Sequence, residues 1–297
     1  MRMMPELPEI TVIAKQMDKQ LRGKTVAGVE DSQPKHLNMP IEEFAEKAKG
    51  KILNSVSSRG KWLFMKLEPE CFMLINLGMG AEILSFEVNQ KLPENAQFRL
   101  TFTDKTGFTI HFWWFGYVHL VPEKDLAKHK LTSQLGISPT EESFTLTHFK
   151  ELLASRKTSI KSFLLDQKNI AGIGNVYVQD ILFRARLHPN RKISTMSEEE
   201  KEGLHKAIVE VLNRSIKFGG SAFEVDFYGK KGKSALDDFL VGYKPGKPCP
   251  RCETTIEKIR TGSTASYICP KCQQENKKER ESVGQAFDRK SARYAED

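Results

Sequence analysis

The chain has 297 residues, enough by length for two domains that each bury a core. Hydrophobic residues make up 39%, no uninterrupted apolar run approaches the ~18 residues of a membrane span, and no apolar secretory core or secreted disulfide framework is seen. A membrane protein is therefore excluded and a cytoplasmic, nucleoid-associated location is expected. The formal charge of +8, with Lys and Arg spread along the chain, is the footprint of a nucleic-acid binder, although charge alone also fits basic proteins without such a partner.

In chain order, Ile10, Ile13, Ala14, Met17 and Leu21 recur at helical spacing and Gly23 stops them, which predicts one amphipathic helix. From about residue 51 to 121 the pattern changes to strands. KILNSVSS and KWLFMKL flank Arg59-Gly60 as a hairpin, and CFMLINL, FRLTFT, FTIHFWWF and YVHLV follow, together predicting a β-sandwich that carries the first helix. Within it, Cys71 reads as a core residue, and the tryptophans of FTIHFWWF read equally as buried strand positions.

Composition shifts near residue 135. TLTHFKELLAS, SIKSFLLDQ, NVYVQDILFRARL and SEEEKEGLHKAIVEVLNRSIKF then read as helices, the last opening on a Ser197-x-x-Glu200 capping box and closing at Gly219-Gly220. Gly172 and Gly174 precede the third of these helices; they permit either a tight turn that offers helix N–H groups to a phosphate or a plain packing turn. Residues 219–247, rich in Gly and Lys, read as a mobile loop or linker. The fold class expected is α+β and multidomain: an N-terminal sandwich at 1–134, a helical domain at 135–240, a four-cysteine zinc finger at 241–273 and a disordered polar tail at 274–297.

Cys249-x-x-Cys252 and Cys269-x-x-Cys272, separated by sixteen residues, suit a tetrahedral Zn²⁺ with a hairpin between the two turns. Two disulfides or a redox pair are the competing readings, disfavoured because nothing points to secretion and a redox motif would not be duplicated at this distance. Four thiolates leave no open coordination position, so the metal is expected to be structural.

Pro5-Glu6-Leu7-Pro8-Glu9, the stretch DQKNIAGIGNVYVQDILFRARLHPNR and the four-cysteine hairpin stand in one order, and jointly they resemble the formamidopyrimidine-DNA glycosylase and endonuclease VIII family over about residues 4 to 273. The resemblance implies a helix, two turns, helix element in the helical domain, double-stranded DNA with damaged bases or abasic sites as partner, a flipped-out nucleotide, no membrane, and a monomer. It also implies an N-terminal proline as nucleophile. Met4-Pro5 can be a start site that leaves Pro5 first, whereas initiation at Met1 leaves Pro5 with an amide nitrogen.

A free α-amino group titrates at about 7.7 to 8.0, so a useful fraction is neutral near physiological pH. By the match, Pro5 attacks the sugar C1′, Glu6 donates a proton, Glu9 supports from behind, and Lys61 assists proton transfer and contacts the lesion phosphate. Lys157 or Lys161 and Asn175 match DNA-contacting positions, and Met79 and Phe115 match residues that enter the duplex.

The chain departs from the pattern in the Met79 loop, one residue shorter as Leu77-Gly78-Met79-Gly80, and in two further places. Thr264 stands where the family carries an arginine, for which Arg260 is the nearby substitute; Trp113 stands where it carries another, so a preference for cytosine opposite the lesion has no support. The alternative to an enzyme is a noncatalytic paralogue that binds distorted or damaged duplex.

Overall fold

The computed structural model describes residues 3–275, so the tail expected after Gln273 lies almost wholly outside the described residues. Among the described residues, those within Met1–Ser138 and Asn213–Ala235 cluster as one compact unit, and those within Pro139–Leu212 and Leu236–Asp297 as another.

The first unit begins with helix α1 (Leu7–Leu21), which starts where proline fixes the first turn. Glu6 is its N-cap, and Glu6 and Glu9 close a reciprocal capping box through each other's backbone N–H. The stripe read from the sequence is buried throughout: Ile10, Ile13, Ala14, Met17 and Leu21 are all at most 3% exposed. Each large member contributes about 1.5–3 kcal/mol by leaving water.

That stripe covers a sandwich of two four-stranded antiparallel sheets. One has the order β1 (Val26–Asp31), β6 (Phe98–Phe102), β7 (Gly107–His111), β5 (Glu82–Phe86); the other is β2 (Ile52–Arg59), β3 (Trp62–Glu68), β4 (Cys71–Asn76), β8 (Tyr117–Pro122). Alternate residues Leu63, Met65 and Leu67 of β3 meet Phe98, Leu100 and Phe102 of β6 in one core. Cys71 belongs to that core, as expected.

Three elements escaped the sequence pattern. Helix α2 (Ile41–Ala48) buries only Phe44 and Ala48, too few to mark a period. Strand β1 carries Gly28 at a register shift, and β5 has an exposed glutamate at its start. The strand expected through FTIHFWWF stops at His111, so the tryptophans are not buried strand residues: Trp113 and Trp114 are 60% and 64% exposed, in the connection to β8.

Residues 219–235, read as part of a mobile loop or linker, are instead built into the first unit. Phe227 is fully buried in the sandwich core, its carbonyl accepts from Ser85 N–H at 2.9 Å, and Gln16 bonds both Phe227 N–H (3.0 Å) and the Asp226 carboxylate (2.8 Å). Gly and Lys dominate the segment's composition, but one aromatic anchor decides its place.

The second unit holds α3 (Leu146–Leu153), α4 (Ile160–Leu165), α5 (Tyr177–Arg184) and the start of α6 (Glu198–Lys217), with the hairpin β9 (Glu257–Thr261) and β10 (Thr264–Ile268). Thr145 and Ser159 cap α3 and α4 with their hydroxyls. The capping box of α6 is formed in both directions between Ser197 and Glu200. Between α4 and α5 the chain makes two turns, giving the helix, two turns, helix element. Gln167 ties them by donating to the Leu165 and Ile173 carbonyls and accepting from Gly172 N–H at 2.8 Å. Gly172 has φ +108, the left-handed geometry for which glycine is suited.

Candidate active site and zinc centre

The capping box brings two carboxylates to the start of α1. Glu6 and Glu9 are 3% and 4% exposed. Glu9 accepts from Glu6 N–H at 3.0 Å with one oxygen and from Ser221 N–H at 2.8 Å with the other, which fixes it as a bracket behind Glu6. Two charge-assisted bonds of this kind are among the stronger polar contacts a protein makes. Pro5 precedes the cap and is buried. Gly220 passes closely behind: a Cβ there would lie 3.1 Å from Glu9 Cγ, and its φ of +89 already favours glycine.

A third carboxyl, that of Glu224, joins this group. Burial is the chief cause that pushes its titration up to about 8, reinforced by the negative charges of Glu9, Glu82 and Glu6 and opposed by a hydrogen bond from the Met3 N–H. Among the described residues its Oε1 is buried without a hydrogen-bond partner. Neither Ser221 nor Glu224 was found from the sequence. Both lie in the segment whose composition reads as a loop, and no periodicity marks them.

Lys61 sits in the two-residue turn Gly60-Lys61, because Arg59 pairs directly with Trp62; it is not on the strand itself. Its ammonium is 3.8 Å from Met4 Sδ, beside the N-terminal segment. Asn76 then links this turn to the next loop, donating to the Lys61 carbonyl at 3.0 Å and accepting from Gly78 N–H at 3.0 Å. Gly80 N–H reaches the Met3 carbonyl at 2.8 Å. Pro5, Glu6, Glu9, Lys61 and Met79 are thereby drawn into one region of the first unit. Phe115 joins it through the exchange of backbone bonds between Met79 and Trp114, at 3.1 and 3.3 Å.

In the second unit, the Sγ atoms of Cys249, Cys252, Cys269 and Cys272 all lie within 4.8 Å of one another. Four thiolates so close are the donor set of a closed structural Zn²⁺ site, and one structural zinc is assigned to them. No disulfide joins them. Arg251, between the first pair, donates to the Phe183 and Arg184 carbonyls at 2.7 and 3.1 Å and lies 4.4 Å over the Phe183 ring. A cation at the end of α5 suits the helix dipole and ties the zinc turn to it.

The structure places Lys161 differently from a DNA-contacting position. The residue is 2% exposed, and its ammonium meets Thr261 Oγ1, Thr264 Oγ1, the Ala265 carbonyl and Ser266 Oγ at 2.7 to 3.0 Å. Burial pushes it down to about 8, whereas the four oxygens favour its charged form. It holds the tip of the zinc hairpin from within. Lys157 and Arg260 are exposed. Asn175 is half-buried and accepts from Gln179, whose amide also accepts from Tyr267 N–H of β10 at 3.0 Å.

Comparison with known proteins matches this architecture piece by piece. The formamidopyrimidine-DNA glycosylase N-terminal domain matches residues 4–115, that family's H2TH domain 135–226, and the zinc finger found in FPG and IleRS 246–274. The formamidopyrimidine-DNA glycosylase of Chloroflexus aurantiacus is 35% identical over 91% of this chain and 98% of its own length. The Fpg of Lactococcus lactis, solved with DNA containing N7-benzyl-Fapy-dG, superimposes with TM-score 0.84 at 28% identity, over 91% of this chain and all of that one. A second structure of the Lactococcus protein, with abasic-site DNA, gives 0.83 at 27% identity over 91% of this chain and 99% of that one. The chain belongs to the formamidopyrimidine-DNA glycosylase family.

Proposed function

We propose that the protein is a base-excision DNA glycosylase that removes oxidised bases from duplex DNA and cuts the strand at the resulting abasic site. The observation that carries this reading is the fixed pair Glu6 and Glu9 directly behind Pro5, with Lys61 in the neighbouring turn. That is a nucleophile, a proton donor, its bracket and a cation within one unit.

The nitrogen of Pro5, as a free secondary amine, attacks C1′ of an extruded nucleotide. The C1′–base bond breaks and the base leaves with a proton; the Pro5 nitrogen loses its own proton, the C1′–O4′ bond opens as O4′ takes up a proton, and an iminium ion then links Pro5 to the ring-opened sugar. Its positive charge acidifies the C2′ hydrogens, so proton loss and departure of the 3′ phosphate follow. Glu6, held by its cap geometry, supplies the proton; Lys61 meets the phosphate. Glu9 acts by fixing Glu6.

Lys157, Asn175 and Arg260 contact the DNA backbone, while Met79 and Phe115 enter the duplex. Zinc, held by its four cysteines, supplies rigidity to the hairpin. The reading includes a cytoplasmic, nucleoid-associated location and action as a monomer.

The chemistry requires Pro5 to begin the mature chain, and the family match starting at residue 4 supports initiation at Met4 followed by its removal. The test is an intact mass of the untagged protein, then borohydride trapping on abasic duplex. A chain beginning at Pro5 is expected to give one covalent adduct, and Pro5→Gly a much weaker one. A Pro5-initiated chain that binds the duplex but gives no adduct would replace this reading with a noncatalytic damage-binding protein.

A further inference from the structure

Met3 and Met4, the described residues ahead of Pro5, are packed where residues near a chain end are ordinarily solvated. Met3 is 7% exposed and Met4 is half-buried. Both polar groups of the Met3 backbone are held: its carbonyl accepts from Gly80 N–H at 2.8 Å, and its N–H donates to the Glu224 carboxyl. The Met4 thioether lies 3.8 Å from the Lys61 ammonium. A segment buried and tied at three points has a definite place, and the groups that tie it surround Pro5.

That place is also where the substrate must stand. The nitrogen that is to bond C1′ is here bonded to the carbonyl carbon of Met4, so Met4 takes the direction of approach of the sugar, and Lys61, assigned above to the phosphate, faces a thioether instead. Resting on the function proposed above, we infer that Met3 and Met4 are an internal plug: while attached, they fill the seat of the extruded nucleotide beside Pro5, so a chain that keeps them is closed to the lesion as well as unreactive. Initiation at Met4, with hydrolysis of the Met4–Pro5 amide to methionine and a free Pro5 amine, removes both obstacles at once. Gly80 N–H and Glu224, whose Oε1 already lacks a partner among the described residues, then turn to the opened seat. A plug seated about nine-tenths of the time lowers apparent affinity about tenfold, because only the open fraction binds. Undamaged duplex, which places no nucleotide in the seat, is unaffected.

The experiment uses the full chain in two forms, one begun at Met1 and one begun at Met4, with intact mass showing that the first keeps Met3 and Met4 and that the second starts at Pro5. Affinity for duplex bearing a tetrahydrofuran abasic analogue, and for undamaged duplex, is read by fluorescence anisotropy. The Pro5-first form is expected to prefer the analogue. The Met1 form is expected to bind the analogue about tenfold or more weaker than the Pro5-first form does, and undamaged duplex within about twofold of it. In the Met1 form, Met3→Gly with Met4→Gly removes the buried side chain and the thioether. It is expected to regain at least about threefold on the analogue while giving no borohydride adduct, since the Pro5 nitrogen remains an amide. Unchanged binding of undamaged duplex is the control for folding.

Equal affinity of the two forms for the analogue, with adduct formation intact in the Pro5-first form, would overturn the plug alone. So would a double-glycine chain that binds the analogue no tighter than its Met1 parent, which would put the loss in the missing amine charge. A Pro5-first form without preference for the analogue would overturn the glycosylase reading and the plug together.

Discussion

Glu224 carries a carboxyl group that burial, with Glu9, Glu82 and Glu6 nearby, holds protonated up to about pH 8 instead of its ordinary 4.5. Between those two values the unfolded chain gives up this proton and the folded chain keeps it, so stability falls as pH rises through the window and levels above it. Glu224→Gln keeps the shape and removes the titration. In the full 297-residue chain, its melting temperature relative to the parent is expected to rise from pH 5 to pH 8.5, as followed by circular dichroism. A constant difference across that range would show that Glu224 is ionised in the folded state. Pro5, Glu6, Glu9 and Lys61 came from the family resemblance, which a short contiguous motif and a hairpin turn carry in the sequence. Glu224 and Ser221 were not legible there, because what gives them meaning is proximity to α1 across some two hundred positions of chain.

The zinc hairpin is an element whose cysteines announce it and whose internal support does not. Spacing alone identified the metal site, since thiolate chemistry at that interval has few other uses. Lys161, however, reads from sequence by resemblance as a DNA-contacting position, and only the structure shows its ammonium spent on Thr261, Thr264, Ser266 and the Ala265 carbonyl. Lys161→Met removes the donor from all four. A cost of about 1–3 kcal/mol is expected in urea unfolding, with faster zinc loss to a chelator. An unaltered zinc-release rate would mean the hairpin tip is held by the metal alone. Among the other elements, long strands with clean alternation and helices with capping boxes were read correctly. Helix α2, β1 and β5 were missed because each is short and buries too few residues to display a period.

At the scale of the molecule, the sandwich and the helical segment followed from the switch between period two and period three to four near residue 135, but the path of the chain did not. Residues 213–235 belong to the first unit, and Phe227 fills its core. Phe227→Ala is expected to cost about 3–5 kcal/mol in thermal or urea unfolding. A loss below about 1 kcal/mol would show that the sandwich closes without the segment. Because Ser221 supplies one of the two N–H groups that hold Glu9, the carboxylates near Pro5 are completed by a stretch the ribosome makes long after β8. The residues of the proposed chemistry thus emerge first and acquire their geometry late, so a nascent or truncated chain ending before residue 221 carries the proline and the glutamates without the bond that aligns them.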